Sequence, residues 1–300
     1  MPIGELRAWN SSLGQRYKYG YTGGMFERKQ TIFFLTHSLV RMASVRIKPS
    51  EILREERISI EDIGLARAFE EGRKRMGNPE KLIVPEEYLY VTRLELPNAD
   101  ARHRSGIERV IESVFPETLE KLAWDYECVG ETQGKTLVEV SGLVKEFGQI
   151  LSAALKSANL SIASIIPESY ALARLIEHPE PVLAIHESET GWIVFMVAGQ
   201  RVVSSLFWDH VPTEKELRDF LEHTRKEKQV TAKQFVFSSV TASGEGWPEL
   251  GLTRLPLDRA LNVFHGAALI RAHSHRDEDR LSLPVRPLSA WYSRWLHKVS

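Results

Sequence analysis

Short apolar runs alternate along the chain with stretches of helical period. TIFFL (31–35) and LVRMASVRI (39–47) are β-branched and apolar, which predicts two paired strands. An approximate capping box begins at Ser59, and the apolar positions after it recur at helical spacing until Gly77 ends the helix. We therefore expect a β-β-α unit here, preceded by a loose N-terminal arm over residues 1–30.

The middle of the chain predicts a β-α-β-β-α-β run. KLIVP (81–85) and YLYVTRLEL (88–96) are predicted as a strand pair, and an apolar stripe predicts a helix over 102–115. The remaining elements of this run are the strands 122–129 and 135–142, the helix 147–158, the strand 161–166 and a short helix from Pro167 to Ile176.

A proline-rich linker at 178–181 marks the clearest boundary, because proline fits neither a helix interior nor a central strand. Three apolar runs follow in 182–208 and predict a strand meander. A capping box at Thr213, a strand at 233–238 and a helix over about 258–273 complete this half. Both halves thus begin with a meander and continue into helix and strand, which indicates a weak internal duplication.

Length and composition place the chain among soluble globular α/β proteins. Its 300 residues fit two domains or one large α/β unit, with 43% hydrophobic and 26% charged residues. A net charge of -1 argues against wholesale nucleic-acid binding, so we expect no nucleic-acid partner.

The single cysteine, Cys128, allows neither an intrachain disulfide nor a cysteine-based zinc site, so a reducing cytoplasm is the simplest location. We expect Cys128 to be a buried small apolar residue. No apolar stretch approaches the ~18–20 residues that span a bilayer, so we expect membrane association only through a partner.

The segment 90–131 resembles the type IV pilus assembly protein PilM family, actin-like relatives of FtsA. The family pattern has a strand ending in Arg-x-Leu-x-Leu-Pro, an amphipathic helix, an aromatic-Pro step and an Asp-Tyr strand. Here these features are Arg93, Leu94, Leu96 and Pro97, the helix 102–115, Phe115-Pro116 and Asp125-Tyr126. The segment 157–176 is similar to the family's passage into its second half.

The resemblance implies an α/β fold of actin-like (ribonuclease H-like) type, with two domains and a small inserted α+β subdomain in the first half. It implies a first domain over 31–178 with the insertion at about 97–160, a second, shortened domain over 179–275, and a C-terminal tail over 276–300.

The resemblance also implies a cytoplasmic, non-catalytic scaffold at the inner membrane. Family members hold the N-terminal peptide of an inner-membrane partner, PilN, and connect it with the assembly motor ATPase. The implied groove lies near the inserted subdomain, with Arg93, Leu96 and Pro97 as candidate lining residues.

Many members bind ATP between two hairpins of the type Asp-x-Gly, because backbone N–H groups and a magnesium-binding carboxylate hold the phosphates. YGYTGG (19–24) has glycines but no acid, and the second hairpin reads His-Glu-Ser-Glu-Thr-Gly. Glu187, Ser188 and Gly191 therefore form a degenerate phosphate hairpin, and we expect no cofactor. An ATP-binding or ATP-hydrolysing protein with a diverged site, using ATP and magnesium, is the alternative.

Other constellations predict no chemistry. His265, His273 and His275 are expected on a solvated surface and not as metal ligands, and no Gly-x-Ser-x-Gly indicates a catalytic serine. Near the C-terminus, Trp291, Tyr292, Trp295 and Leu296 form a helical apolar stripe. Packing on the domain is the favoured interpretation, and contact with a partner or the membrane interface is the other.

Overall fold

The structure is a computed structural model. It describes residues 28–47, 50–101, 103–115, 117–132, 134–228, 230–238, 247, 250–255 and 262–270. The strands in these ranges are β1 Lys29–Leu35, β2 Leu39–Arg46, β3 Glu51–Ser59, β4 Lys81–Val84, β5 Leu89–Pro97, β6 Leu122–Thr132, β7 Lys135–Val144, β8 Ser164–Pro167, β9 Val182–Glu187, β10 Trp192–Ala198, β11 Arg201–Trp208, β12 Gln234–Ser238 and β13 Thr253–Arg254.

Eight α-helices and two 3₁₀ turns accompany these strands in the described ranges. They are α1 Ile60–Ile63, α2 Leu65–Met76, α3 Asn98–Ala101, α4 Arg104–Val114, α5 Lys145–Ser157, α6 Glu168–Ala173, α7 Glu214–Lys228 and α8 Val263–Leu269, with 3₁₀ turns at Glu86–Tyr88 and Leu119–Lys121. The predicted capping at Ser59 is confirmed, because its hydroxyl accepts a hydrogen bond from the Asp62 N–H at 3.3 Å.

Two sheets share one strand order. The first sheet runs β3-β2-β1-β4-β8, and the second contains β11-β10-β9-β12-β13. In each, the first three strands form an antiparallel meander and the last two pair in parallel with the strand inside them. This matching order of strand and pairing type establishes the duplication that the sequence indicated only weakly.

The strands β5, β7 and β6 extend the second sheet beyond β11. β5 pairs with β7 along its length, from Leu89↔Leu143 to Pro97↔Lys135, but meets β11 only at Ser204↔Thr92. Helix α4 covers these three strands and forms a separate core with them. Helix α5 instead packs on the first sheet beside α2. The predicted domain limits, including the insertion at 97–160, stay predictions.

The central core lies between the two sheets. Side chains of β1, β2 and β4 meet side chains of β9, β10 and β12 there, and helices α6 and α8 fill the space between them. These helices pack very closely, since a Cβ on Gly266 would lie 1.7 Å from the Ala171 carbonyl oxygen. The outer face of the second sheet packs against α7 and Trp247.

Three local predictions are wrong. Segments 81–85 and 88–96 are not a strand pair, because both edges of β4 are taken by β1 and β8, and β5 belongs to the second sheet. The opening unit is β-β-β-α and not β-β-α. The third strand, β3, was not predicted because its sequence is rich in charged residues. β3 is an edge strand whose carboxylates pair with arginines, as in Arg41–Glu55 at 2.8 Å. Cys128 is exposed, since it lies at an irregularity of the edge strand β6.

Candidate functional site

The second hairpin joins β9 to β10 and lies beside the carboxyl ends of β1, β4 and β8. Its turn, Ser188–Gly191, is closed by a hydrogen bond from the Ser188 N–H to the Gly191 carbonyl at 2.8 Å. Gly191 is required by packing, since a Cβ there would lie 2.1 Å from the Trp208 carbonyl oxygen. The glycine of this hairpin therefore has a reason for its presence that involves no phosphate.

The first hairpin joins β1 to β2 through Thr36, His37 and Ser38. The Thr36 N–H donates to the Leu39 carbonyl at 2.9 Å, and the Leu39 N–H donates to the Thr36 hydroxyl at 3.1 Å. The turn contains neither an acid nor a glycine. YGYTGG (19–24), the candidate for this hairpin in the sequence, lies outside the described residues.

The two hairpins are in direct contact. The Ser38 N–H donates to Glu189 Oε2 at 3.3 Å, and the Ser38 hydroxyl donates to Glu189 Oε1. Burial raises the pKa of Glu189, but hydrogen bonds from Ser38 and Thr36 and from the backbone of Ser38 and His37 outweigh it. The net result is a lowered pKa, so Glu189 is an anion seated in the first turn.

The residues on either side of Glu189 contact two further elements. The Ser188 hydroxyl donates to Glu168 Oε2 at 3.0 Å, at the start of α6. The Thr190 hydroxyl donates to Glu87 Oε2 at 2.6 Å, in the 3₁₀ turn after β4. The predicted site residue Ser188 is thus a donor to a buried carboxylate, whereas Glu187 ends β9 opposite Trp192.

Two buried carboxylates lie behind the hairpin. Glu86 and Glu168 are 4% and 2% exposed. Glu86 accepts hydrogen bonds from the Ser169 hydroxyl at 2.7 Å, the Ser169 N–H at 3.2 Å and the Ser205 hydroxyl at 2.5 Å. Glu168 Oε1 lies 3.1 Å from His186 Nε2. Burial, with a smaller contribution from the nearby Glu168, raises the pKa of Glu86 to about 7, although its three hydrogen bonds favour the ionised form.

Arg93 belongs to a polar cluster where β5 and β11 diverge. Its guanidinium pairs with Glu139 at 2.9 Å, and the Tyr170 hydroxyl donates to the other oxygen of Glu139 at 3.2 Å. Burial and the Glu139 charge raise the pKa of Tyr170. Lys228 donates to the Arg93 carbonyl, which links the end of α7 to β5.

The other two predicted groove residues lie in different environments. Leu96 is 4% exposed and packs in the core beneath α4, so its side chain faces inward. Pro97 is exposed at the end of β5, opposite Lys135. The structure therefore does not bring Arg93, Leu96 and Pro97 to one common surface.

Sequence reasoning missed Glu86, Glu87 and Glu168 as members of the site. A usable signal was present, since Glu86 and Glu168 each follow a short apolar strand of a parallel pair, after Pro85 and Pro167. Residues at the carboxyl ends of neighbouring parallel strands meet at one edge of a sheet, which is where α/β folds place their sites. The contact of Glu189 with Ser38 spans 151 residues and has no local signal.

Among the described residues, no group of three or more His, Cys, Asp or Glu side chains could hold a metal ion. No helix within the described ranges is long and apolar enough to cross a membrane. The positions of His273, His275 and the aromatic stripe at 291–296 lie outside the described residues.

No protein-family model and no curated protein sequence matches this chain. Solved structures, however, share its fold. A protein of the "PilM-PilN type IV pilus biogenesis complex" is similar with a TM-score of 0.58 and 12% identity, over 80% of this chain and 90% of that chain.

Two further structures extend the comparison. The cytoplasmic domain of EpsL, an inner membrane component of the type II secretion system of Vibrio cholerae, has a TM-score of 0.54 and 13% identity, over 81% of this chain and 96% of that chain. A Bacteroides thetaiotaomicron protein described as having an actin-like ATPase fold has a TM-score of 0.50 and 8% identity, over 82% and 97%. These likenesses and the duplicated sheet order establish that this chain has the actin-like α/β fold.

Proposed function

We propose that this chain is a non-catalytic actin-like scaffold of the PilM type. In this proposal it works in a type IV pilus or related secretion system, on the cytoplasmic side of the inner membrane. It docks the N-terminal peptide of an inner-membrane partner of PilN type and connects it with the assembly motor ATPase. The observation that carries the proposal is Glu189, because its carboxylate sits in the turn where a nucleotide phosphate would need free N–H groups.

The charges around the hairpins support a scaffold without ATP. Glu189 lies in the turn Ser188–Gly191, and Glu87 and Glu168 contact its neighbours Thr190 and Ser188. Each of the three carboxylates already accepts a hydrogen bond from a side chain of the protein. A triphosphate entering here would meet like charges and would have to displace Glu189 from Ser38. The residues present therefore do not fit Mg-ATP.

The docking surface of the proposal is the edge of β5 beside Arg93 together with the exposed end of the same strand at Pro97, and it excludes the buried side chain of Leu96. Only one residue pair joins β5 to β11, so the sheet opens beside Arg93. An extended peptide can bind at such an edge through main-chain hydrogen bonds, with side-chain pockets adding specificity. Leu96 contributes from within, by packing β5 onto the core beneath α4.

Isothermal titration tests both parts separately. We expect no saturable heat with Mg-ATP, and saturable heat with the N-terminal peptide of an inner-membrane partner of PilN type. Saturable Mg-ATP binding would instead favour the alternative, an ATP-binding or ATP-hydrolysing protein. The Bacteroides protein, which is described as having an actin-like ATPase fold, is the reason to test this alternative.

A surface variant localises the docking site. Pro97→Glu should weaken peptide binding by at least about tenfold, or about 1.4 kcal/mol, because it places a charge on the proposed surface. Arg109→Glu on the exposed side of α4 is the matched control and should bind as the wild type does. Absence of peptide binding by the wild type would refute the scaffold proposal.

A further inference from the structure

Three consecutive side chains of the second hairpin each contact a different element of the chain before residue 178. Ser188 binds Glu168 at the start of α6, Glu189 binds the turn after β1, and Thr190 binds Glu87 in the 3₁₀ turn after β4. We call the residues 188–190 the clasp. Its contacts join the second sheet to three points around the end of the first sheet.

We propose that the clasp is a latch that holds the two sheets together at the carboxyl ends of β1, β4 and β8, with Glu189 acting as an internal anion in the turn Thr36–Ser38. The occupant of the turn is thus part of the chain itself. When Glu189 leaves, the turn becomes a binding site for a small free anion. This inference rests on the contact between the hairpins and does not depend on peptide docking.

The placement of the clasp separates it from the packing that holds the protein together. The apolar core around α6 and α8 joins the two sheets and includes side chains such as Phe34, Phe195 and Phe264. The clasp contacts are polar, and those of Ser38 are exposed. Breaking these contacts removes hydrogen bonds but leaves the apolar core in place. The two hairpins can therefore separate while both sheets stay folded.

Glu189 holds its seat against free anions for two reasons. It is attached to the same chain as the turn, so its effective concentration there is far above that of a dilute solute. Glu168 and Glu87, which bind Ser188 and Thr190 on either side of Glu189, also repel a free phosphate more strongly, because phosphate carries more negative charge at neutral pH than one carboxylate does. A free anion therefore binds the turn only after the Glu189 charge is removed.

Hydrogen exchange measured by mass spectrometry tests the latch on the full chain. In Glu189→Ala, peptides covering 36–39 and 186–191 should exchange at least about tenfold faster than in the wild type, because the Ser38 N–H loses its acceptor. Inorganic phosphate should restore protection of 36–39 in this variant and leave the wild type unchanged. Glu180→Gln, an exposed carboxylate of the linker, is the matched control and should behave as the wild type does.

Two further variants keep the test decisive. Glu189→Gln keeps a hydrogen-bond acceptor without the charge, so its exchange should lie between those of the wild type and Glu189→Ala. Ser38→Ala should speed exchange of 186–191 from the opposite side of the contact. Unchanged exchange in the folded Glu189 variants, faster exchange without phosphate protection, or phosphate protection of the wild type would each overturn the inference. Failure of peptide docking would not change any of these readouts.

Discussion

Replacing Glu86 by glutamine removes a carboxyl group that is 4% exposed and lies between the two sheets. Its pKa in the folded chain is about 7, against an ordinary value of 4.5. A difference of about 2.5 units, at about 1.36 kcal/mol per unit, corresponds to about 3 kcal/mol of free energy of unfolding. Since the folded-state pKa is raised, this stability is fully present below about pH 4.5 and is lost as the pH rises to about 7.

Urea unfolding followed by tryptophan fluorescence measures this effect. Between about pH 4.5 and pH 7, the free energy of unfolding of the wild type should fall by about 3 kcal/mol relative to that of Glu86→Gln. Above about pH 7 the two curves should run parallel, because Glu86 is then ionised in both folded and unfolded chains. The glutamine amide oxygen can replace Oε1 and accept from the Ser169 and Ser205 hydroxyls, whereas the Ser169 N–H loses its acceptor Oε2. This loss is the same at every pH, so the pH dependence of the difference between the two proteins still reports the proton of Glu86.

The control for this measurement is Glu112→Gln on the exposed side of α4, which should track the wild type at every pH. If the Glu86→Gln and wild-type curves run parallel from pH 4.5 to pH 7, Glu86 has an ordinary pKa. The three hydrogen bonds would then outweigh burial, and the reasoning would be refuted.

Three further predictions concern packing and burial. Gly266→Ala should cost more than about 4 kcal/mol or prevent folding, because its Cβ would strike the Ala171 carbonyl, whereas Gly130→Ala has open space and should be neutral by thermal unfolding. Ile107→Ala should cost about 3 kcal/mol and Ile107→Val about 1, because the side chain lies on the inner face of α4 and is fully buried; equal stability of both in urea would contradict this. Burial lowers the pKa of Lys81 to about 8, so the free energy of unfolding should rise with pH from about 8 to 10.5, a rise that Lys81→Met should abolish.

The sequence predicted those parts of the fold that depend on local periodicity. The meanders at β1–β2 and β9–β11 and the helices α2, α4, α5 and α7 follow from alternating or helical apolar patterns. β3 was not predicted because its sequence, EILREERIS, is rich in charged residues and lacks the apolar alternation of a strand. Only its pairing with β2 at the edge of the sheet shows that it is one. The separation of β4 from β5 escaped because a local pattern does not reveal that β1 and β8 occupy both edges of β4.

The candidate site was predicted only in part for a similar reason. Glu187, Ser188 and Gly191 were recognised as an altered phosphate hairpin, but the residue that fills the opposite turn is Glu189. The side chains of Glu86 and Glu168 look like surface residues in the sequence, and burial between two sheets distant in sequence determines their environment. Long-range pairing of polar groups has no periodic signal, so only the folded chain brings these residues together.

Two polar contacts join the sheets: Glu86 with Ser169 and Ser205, and Glu189 with Ser38. They can be told apart experimentally, because Glu86 and Glu189 have pKa values shifted in opposite directions. The pKa of Glu189 is lowered, so its contact with Ser38 persists at neutral pH and weakens only in acid below its ordinary pKa of 4.5. Glu86 instead gains charge as the pH approaches 7, beside the carboxylate of Glu168. Raising the pH from about 4.5 to 7 therefore weakens the contact of Glu86 with Ser169 and Ser205, because the carboxylate becomes charged while it is buried. The contact between Glu189 and Ser38 stays unchanged. Hydrogen exchange of peptides containing Ser169 and Ser205 should increase between pH 5 and 7, after correction for intrinsic exchange, and exchange at 36–39 should not. An equal increase in exchange at both contacts would mean that the two contacts open together as one unit.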